Sequence, residues 1–218
     1  MLNGYRGNVK IEETAGKDLV FPVIFVGLGG RKMEKRIIEG ALDVIGKQGV
    51  KFTMDDVATE LGMSKKTIYT VFRDKNQLML AMVDYVFDHI KEGEAEVVSD
   101  PSLALVDKIR RILGVMPEVY HGWDFTHFYT LQDKYPQVYD RIRERLENGW
   151  ELTLKLIDDG VKQGIVRPVN PVIFQMVYEA ATERFIMGSE LDENHIPYME
   201  ALNELVTILV DGIVIGQA

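Results

Sequence analysis

The chain has 218 residues, 46% hydrophobic and 27% charged, and no cysteine. This describes a folded globular protein, excludes disulfides, thiolate metal sites and cysteine nucleophiles together, and fits a reducing cytoplasm. The net charge of −9 excludes indiscriminate nucleic-acid binding, and no apolar run approaches the roughly 20 residues that a membrane helix needs. The charge is unevenly spread. Residues 31–78 carry a net +3 and residues 79–218 a net −12, so a short, mildly basic module precedes a long acidic body.

In chain order, residues 1–30 come first. "DLVFPVIFVGLGGRK" runs β-branched and aromatic residues into a glycine-rich turn, as a dinucleotide-binding unit begins. The G-x-G-x-x-G fingerprint fails, because Gly27 and Gly29 fit but Lys32 holds the third place, and the next fifty residues read as helices. A secretory signal fits poorly too: Glu12, Glu13 and Asp18 precede the apolar core, and no small-residue cleavage site follows. Two readings stay open for this N-terminal extension, a leader read in frame ahead of a start at Met33 or a loosely attached arm.

From Ile37 the pattern becomes regular. Ile38, Ala41, Leu42 and Ile45 recur at i, i+3, i+4, i+7, the apolar stripe of a helix, and Gly49 suits its left-handed end. In "TMDDVATELGMSKKTIYTVFRDKNQL", Thr53 and Asp56 form an N-terminal cap pair. Met54, Val57, Ala58 and Leu61 mark the second helix, "GMS" is a tight turn, and Ser64 caps the third helix. Two short helices joined this way predict a helix-turn-helix. Ile68, Val71 and Phe72 form the buried side of its second helix. Lys66, Tyr69, Thr70 and Arg73 recur on the other side, a face of cations and hydroxyls without an acid, suited to the DNA major groove. Lys65 and Thr67 lie near the N-terminal end, which usually points at the bases. Asp74 caps a further helix with Gln77 three residues on, and Lys75 in its first turn has little internal reason to be there.

Over Ile37–Leu78 the sequence resembles the tetracycline-repressor (TetR) family of bacterial transcription regulators. The matching parts are Gly49, Thr53, Gly62-Met63-Ser64, Thr67-Ile68-Tyr69-x-x-Phe72 and Lys75-x-x-Leu78. The resemblance implies that Thr53, Tyr69 and Lys75 contact phosphates of an operator, and that Lys65, Lys66, Thr67 and Thr70 face the groove; Ser64 completes the DNA-binding set. Lys66 and Thr70-Val71 depart from the family's usual residues, so the operator sequence does not transfer.

After Asp74 almost everything reads as helix. The expected elements are a long connecting helix from Asp74, then Ser102–Met116, Trp123–Asp133, Gln137–Gln163, Val172–Gly188 and Tyr198–Ile215. The predicted fold is all-α: a three-helix DNA-binding module over 31–78, then a larger helical domain over 79–218. The resemblance implies that this domain binds a small-molecule effector and forms a homodimer through its C-terminal helices. Leu202, Leu205, Val206, Leu209 and Ile213 supply an apolar stripe there. Met116–Leu131, "MPEVYHGWDFTHFYTL", is the candidate pocket, with Trp123, His127 and Phe128 joined by Trp150, Tyr178 and Met176 from later helices. His121, Phe125 and Tyr129 are lesser candidates. Arg184 reads as a structural ion pair before an anion contact.

The four histidines have no metal-ligand spacing, and no nucleophile elbow, P-loop or H-E-x-x-H occurs. No cofactor, metal or membrane partner is expected, and the chain does not read as an enzyme. The expectation is a ligand-responsive, dimeric DNA-binding regulator, a repressor released by a small molecule. An all-α carrier or enzyme with an incidental helix-turn-helix is the alternative, and sequence-specific duplex binding separates the two. The effector, the operator and the sign of regulation are not legible.

Overall fold

The computed structural model describes residues 28–120, 123 and 128–215. The extension ahead of Leu28 lies outside them, as do His121, Phe125 and His127. The helices are α1 (Leu28–Gln48), α2 (Met54–Leu61), α3 (Lys65–Tyr69), α4 (Lys75–Ser99), α5 (Leu105–Leu113), α6 (Leu131–Lys134), α7 (Pro136–Glu147), α8 (Glu151–Lys162), α9 (Pro171–Met187), α10 (Glu190–Glu193) and α11 (Tyr198–Ile213). Among the described residues the only bridge between extended segments joins Val166 and Val214, so the fold is all-α as expected. No described helix is long and apolar enough to cross a membrane.

The local signals in the first module act as read. Thr53 and Asp56 form a reciprocal capping box on α2, with Asp56 N–H donating to Thr53 Oγ1 at 3.2 Å and Thr53 N–H to Asp56 Oδ2 at 2.7 Å. Gly62 closes α2 in the left-handed region at φ 60°. Ser64 caps α3 and Asp74 caps α4.

Two apolar clusters build the interior. The first gathers Ile37, Leu42 and Ile45 of α1, Val57 of α2, Ile68 and Phe72 from α3 onward, and Leu78 and Met82 of α4, together with Leu131, Val138, Ile142 and Ile186 of the body. The second joins Ile109 and Ile112 of α5, Leu156 and Ile157 of α8, Phe174 of α9, and Leu202, Val206 and Val210 of α11. With 25 residues, about 37 Å at the α-helical rise, α4 packs on α1 at one end and on α5, α7 and α8 further along. The helix-turn-helix module and the body therefore share one core through α4.

Three expectations change. The single helix over Gln137–Gln163 is broken into α7 and α8 at Asn148-Gly149. Gly149 is left-handed at φ 82°, and a Cβ there would meet Lys91 Cε at 2.8 Å. In place of a helix over Trp123–Asp133, the described residues form a 3₁₀ turn at Phe128–Thr130 leading into α6. The proposed dimer stripe is internal: Leu202, Leu205, Val206 and Ile213 are buried within the subunit, against α5 and α9. The outward apolar residues are Val172, Ile173, Met176 and Val177 of α9 and Ile208 of α11.

Candidate nucleic-acid interface and ligand cavity

α3 is held from behind by Ile68 and by Phe72 just beyond it, both buried in the first cluster. This orientation turns Lys65, Lys66, Tyr69 and Thr70 outward. Several are braced. Ser64 Oγ lies 2.8 Å from Thr67 Oγ1, Thr70 Oγ1 donates to Thr67 O at 2.6 Å, and Lys65 pairs with Asp55 of α2 at 2.8 Å. The bond to Asp55 raises the lysine's pKa. Arg73 turns to Asp74 at 3.3 Å. Lys66 and Tyr69, the latter 43% exposed, have no side-chain partner among the described residues. The outward face is therefore a preformed surface of hydroxyls, one phenol and one uncompensated cation.

Lys75 departs from its reading. Its ammonium has internal partners: it donates to Val50 O at 2.9 Å and Phe52 O at 2.5 Å, and sits 4.1 Å from the Phe52 ring centroid. It clips the α1–α2 connection to the start of α4, directly behind Thr53. Desolvation lowers its pKa from 10.5 to about 8.

A cavity of about 150 Å³ lies between α1, α4, α5, α7, α8, α9 and α11. Four of the five ligand candidates, Trp123, Phe128, Trp150 and Tyr178, line it; His127 lies outside the described residues. The Trp150 and Tyr178 rings meet edge to face at 5.2 Å. Met176 does not line the cavity: it is 60% exposed, on the opposite face of α9. Tyr129 is 39% exposed and is not part of the cavity wall, and Arg184 pairs with Glu190 as a structural contact.

Sequence reasoning missed the polar end of this cavity. Lys91 and Glu94 of α4 line it, with Lys91 Nζ 2.8 and 3.0 Å from the two carboxylate oxygens and 2.9 Å from Gly149 O. Glu94 is 7% exposed, and burial raises its pKa against the opposing pull of Lys91. An i,i+3 charge pair normally marks a solvated face, so nothing in the sequence sets this one apart. Tyr120 is also on the wall. Its hydroxyl lies 3.2 Å from His89 Nδ1, and burial pushes its pKa up to about 12. Tyr85 packs edge to face on His89 at 4.2 Å and donates to Glu39 of α1 at 2.7 Å. A polar chain thus leads from the cavity to the DNA-binding module. Trp123 reaches the same helix directly, since a Cβ on Gly46 would lie 3.0 Å from its Nε1.

Known proteins agree with this architecture. Residues 37–82 match the family described as "Bacterial regulatory proteins, tetR family". The uncharacterized HTH-type transcriptional regulator YvaF of Bacillus subtilis is 26% identical over 184 residues, covering 83% of this chain and 95% of its own. Among solved structures, a regulatory protein TetR from Rhodobacter sphaeroides superposes with a TM-score of 0.65 at 15% identity, over 84% of this chain and 99% of that one. FadR of Bacillus subtilis, solved with stearoyl-CoA, gives 0.55 at 14% identity, over 82% and 98%. With its helix-turn-helix seated on an all-α body, the chain carries over residues 37–82 the DNA-binding module of the tetR family of bacterial regulatory proteins, and along most of its length it is similar to an HTH-type transcriptional regulator.

Proposed function

We propose that the protein is a dimeric repressor that reads an operator through α3 and leaves it when a small molecule fills the cavity. The observation that carries this reading is the shared core: α1 and α4 form both the support of the helix-turn-helix and one wall of the cavity. A ligand that alters the spacing of that wall must change the setting of α3, and it releases DNA if it binds the DNA-incompatible setting more tightly. FadR supports the idea that this architecture houses a ligand with an apolar body; the likeness is one of fold and does not bring stearoyl-CoA to this chain.

On DNA, Lys66, Thr67 and Thr70 face the groove, with Lys65 beside them, and Thr53, Ser64 and Tyr69 meet phosphates. Lys75 supports Thr53 through the loop that it clips. The second copy docks on the outward face of α9 and α11. Ile173, Met176, Val177 and Ile208 are exposed there, and a Cβ placed on Gly212 would meet no atom within 4 Å, which leaves room for close approach. The regulator acts in the cytoplasm and catalyses no reaction.

The test is binding of the purified protein to DNA from upstream of its own gene, in excess unrelated duplex, over a salt series. Tight binding that survives the competitor and is lost in a Lys66→Ala/Tyr69→Ala variant is expected. Binding that the competitor removes completely, at that fragment and across a randomised duplex pool, overturns the reading.

A further inference from the structure

We infer that the effector is a lipophilic organic cation whose charged nitrogen takes the place of the Lys91 ammonium on Glu94. This rests on the cavity being the effector site.

The two members of the ion pair are not equivalent. The Glu94 side chain is 9% exposed and is fixed on the cavity wall, whereas that of Lys91 is 35% exposed. Lysine has a flexible stem and can carry its head into water at little cost. Glu94 has no such exit. Trp150, Tyr178 and Tyr198 line the same cavity, so the carboxylate shares its walls with aromatic rings, the surroundings in which a poorly hydrated cation is favoured. Lys91 acts as an internal stand-in for that cation.

The alternatives leave charge stranded. An anionic head could address Lys91 or Arg145, the cavity's other cation. Arg145 is already held by Asp88 at 2.6 Å and Asp84 at 3.4 Å. An anion that captured Lys91 would leave Glu94 buried without a partner and would lie beside its charge, a costly arrangement. A cation that captures Glu94 releases Lys91 to solvent, and every buried charge remains paired. The net charge of −9 also draws cations towards the protein. The remaining walls, Met79, Met82, Val83, Val86 and Ile90 of α4 among them, accept an apolar tail.

The experiment compares decyltrimethylammonium with decanoate, the same apolar chain with opposite heads, by calorimetry on the intact protein below the micelle concentration of either. The cation should bind at least about tenfold more tightly than the anion. Glu94→Gln should abolish that preference while retaining the wild-type fold by circular dichroism. Lys91→Met, which removes the internal competitor, should tighten cation binding, a gain that a merely structural role for the ion pair does not produce. Decanoate binding as tightly as the cation, or a preference that survives in Glu94→Gln, overturns the inference and leaves the cavity reading standing. Failure of both probes to bind overturns the two together; operator binding is measured separately and stands or falls by itself.

Discussion

At the scale of single residues, cations that look alike in the sequence divide by what they touch. Lys66 is exposed and without an internal partner, so Lys66→Ala should cost about 1–3 kcal/mol of specific DNA affinity and leave the melting temperature unchanged. A lowered melting temperature would show that its role is internal. Lys75 is the converse. Lys75→Ala should lower the melting temperature and weaken operator binding, while the slope of log K against log salt stays as in the wild type, because no phosphate contact is removed. Its titration gives a second measurement. The folded pKa of about 8 lies below the ordinary 10.5, so between these values the unfolded chain holds a proton that the folded chain has released. Stability from this group therefore rises with pH from about 8 to 10.5 and is flat below. The wild-type-minus-Lys75→Met difference in denaturation midpoint should show that rise; a fall over the same window would contradict the assignment. The sequence pattern located Lys75 but not its partners, since Val50 and Phe52 are more than 20 residues away and offer backbone carbonyls, which no residue type announces.

At the scale of elements, what was legible is what is local. The Thr53–Asp56 box, the tight turn at Gly62 and the Ser64 and Asp74 caps are each written within four residues, and each occurs. Thr53→Ala should cost about 1 kcal/mol of stability through the loss of the cap, in addition to any effect on DNA. Asp56→Ala should lower stability alone, and equal losses of DNA affinity in the two variants would remove Thr53 from the phosphate contacts. The packing of α1 on α2 was not legible. A Cβ on Gly40 would fall 2.5 Å from Leu61 Cδ2, so Gly40→Ala should destabilise by roughly 1–3 kcal/mol by overpacking, despite alanine's better helix propensity; a chemical denaturation curve decides it. The break at Gly149 was hidden for a similar reason. The apolar periodicity continues through it, and the left-handed turn that requires the glycine is set by how α7 and α8 pack, with Lys91 reaching the carbonyl of Gly149. The candidate cavity was legible as aromatic residues but not as a shape: Trp123, Phe128, Trp150 and Tyr178 converge, whereas Met176 of the same helix as Tyr178 points outward. Periodicity alone could not say which side of α9 faces the interior, because both sides are apolar.

At the scale of the whole molecule, the same ambiguity governs the proposed dimer. The Leu202–Ile213 stripe of α11 looked free and is buried, while α9 exposes Ile173 and Met176. An Ile173→Glu/Met176→Glu variant should therefore sediment as a folded monomer. Leu202→Ala should instead cost about 2–5 kcal/mol of subunit stability. Dimers that persist in the α9 variant would move the interface elsewhere. A twofold pair of α3 helices set about 34 Å apart would read two half-sites one turn of DNA apart, and coupling through α1 and α4 would let one ligand event alter that separation. The measurement that tests this most directly is a hydroxyl-radical footprint on the highest-affinity duplex selected from a randomised pool, with and without the bound effector. The account predicts two protected half-sites in inverted repeat, with centres about 10 base pairs or a multiple of that apart, both lost when the effector is added. A single protected half-site, or protection that does not depend on sequence, would contradict it.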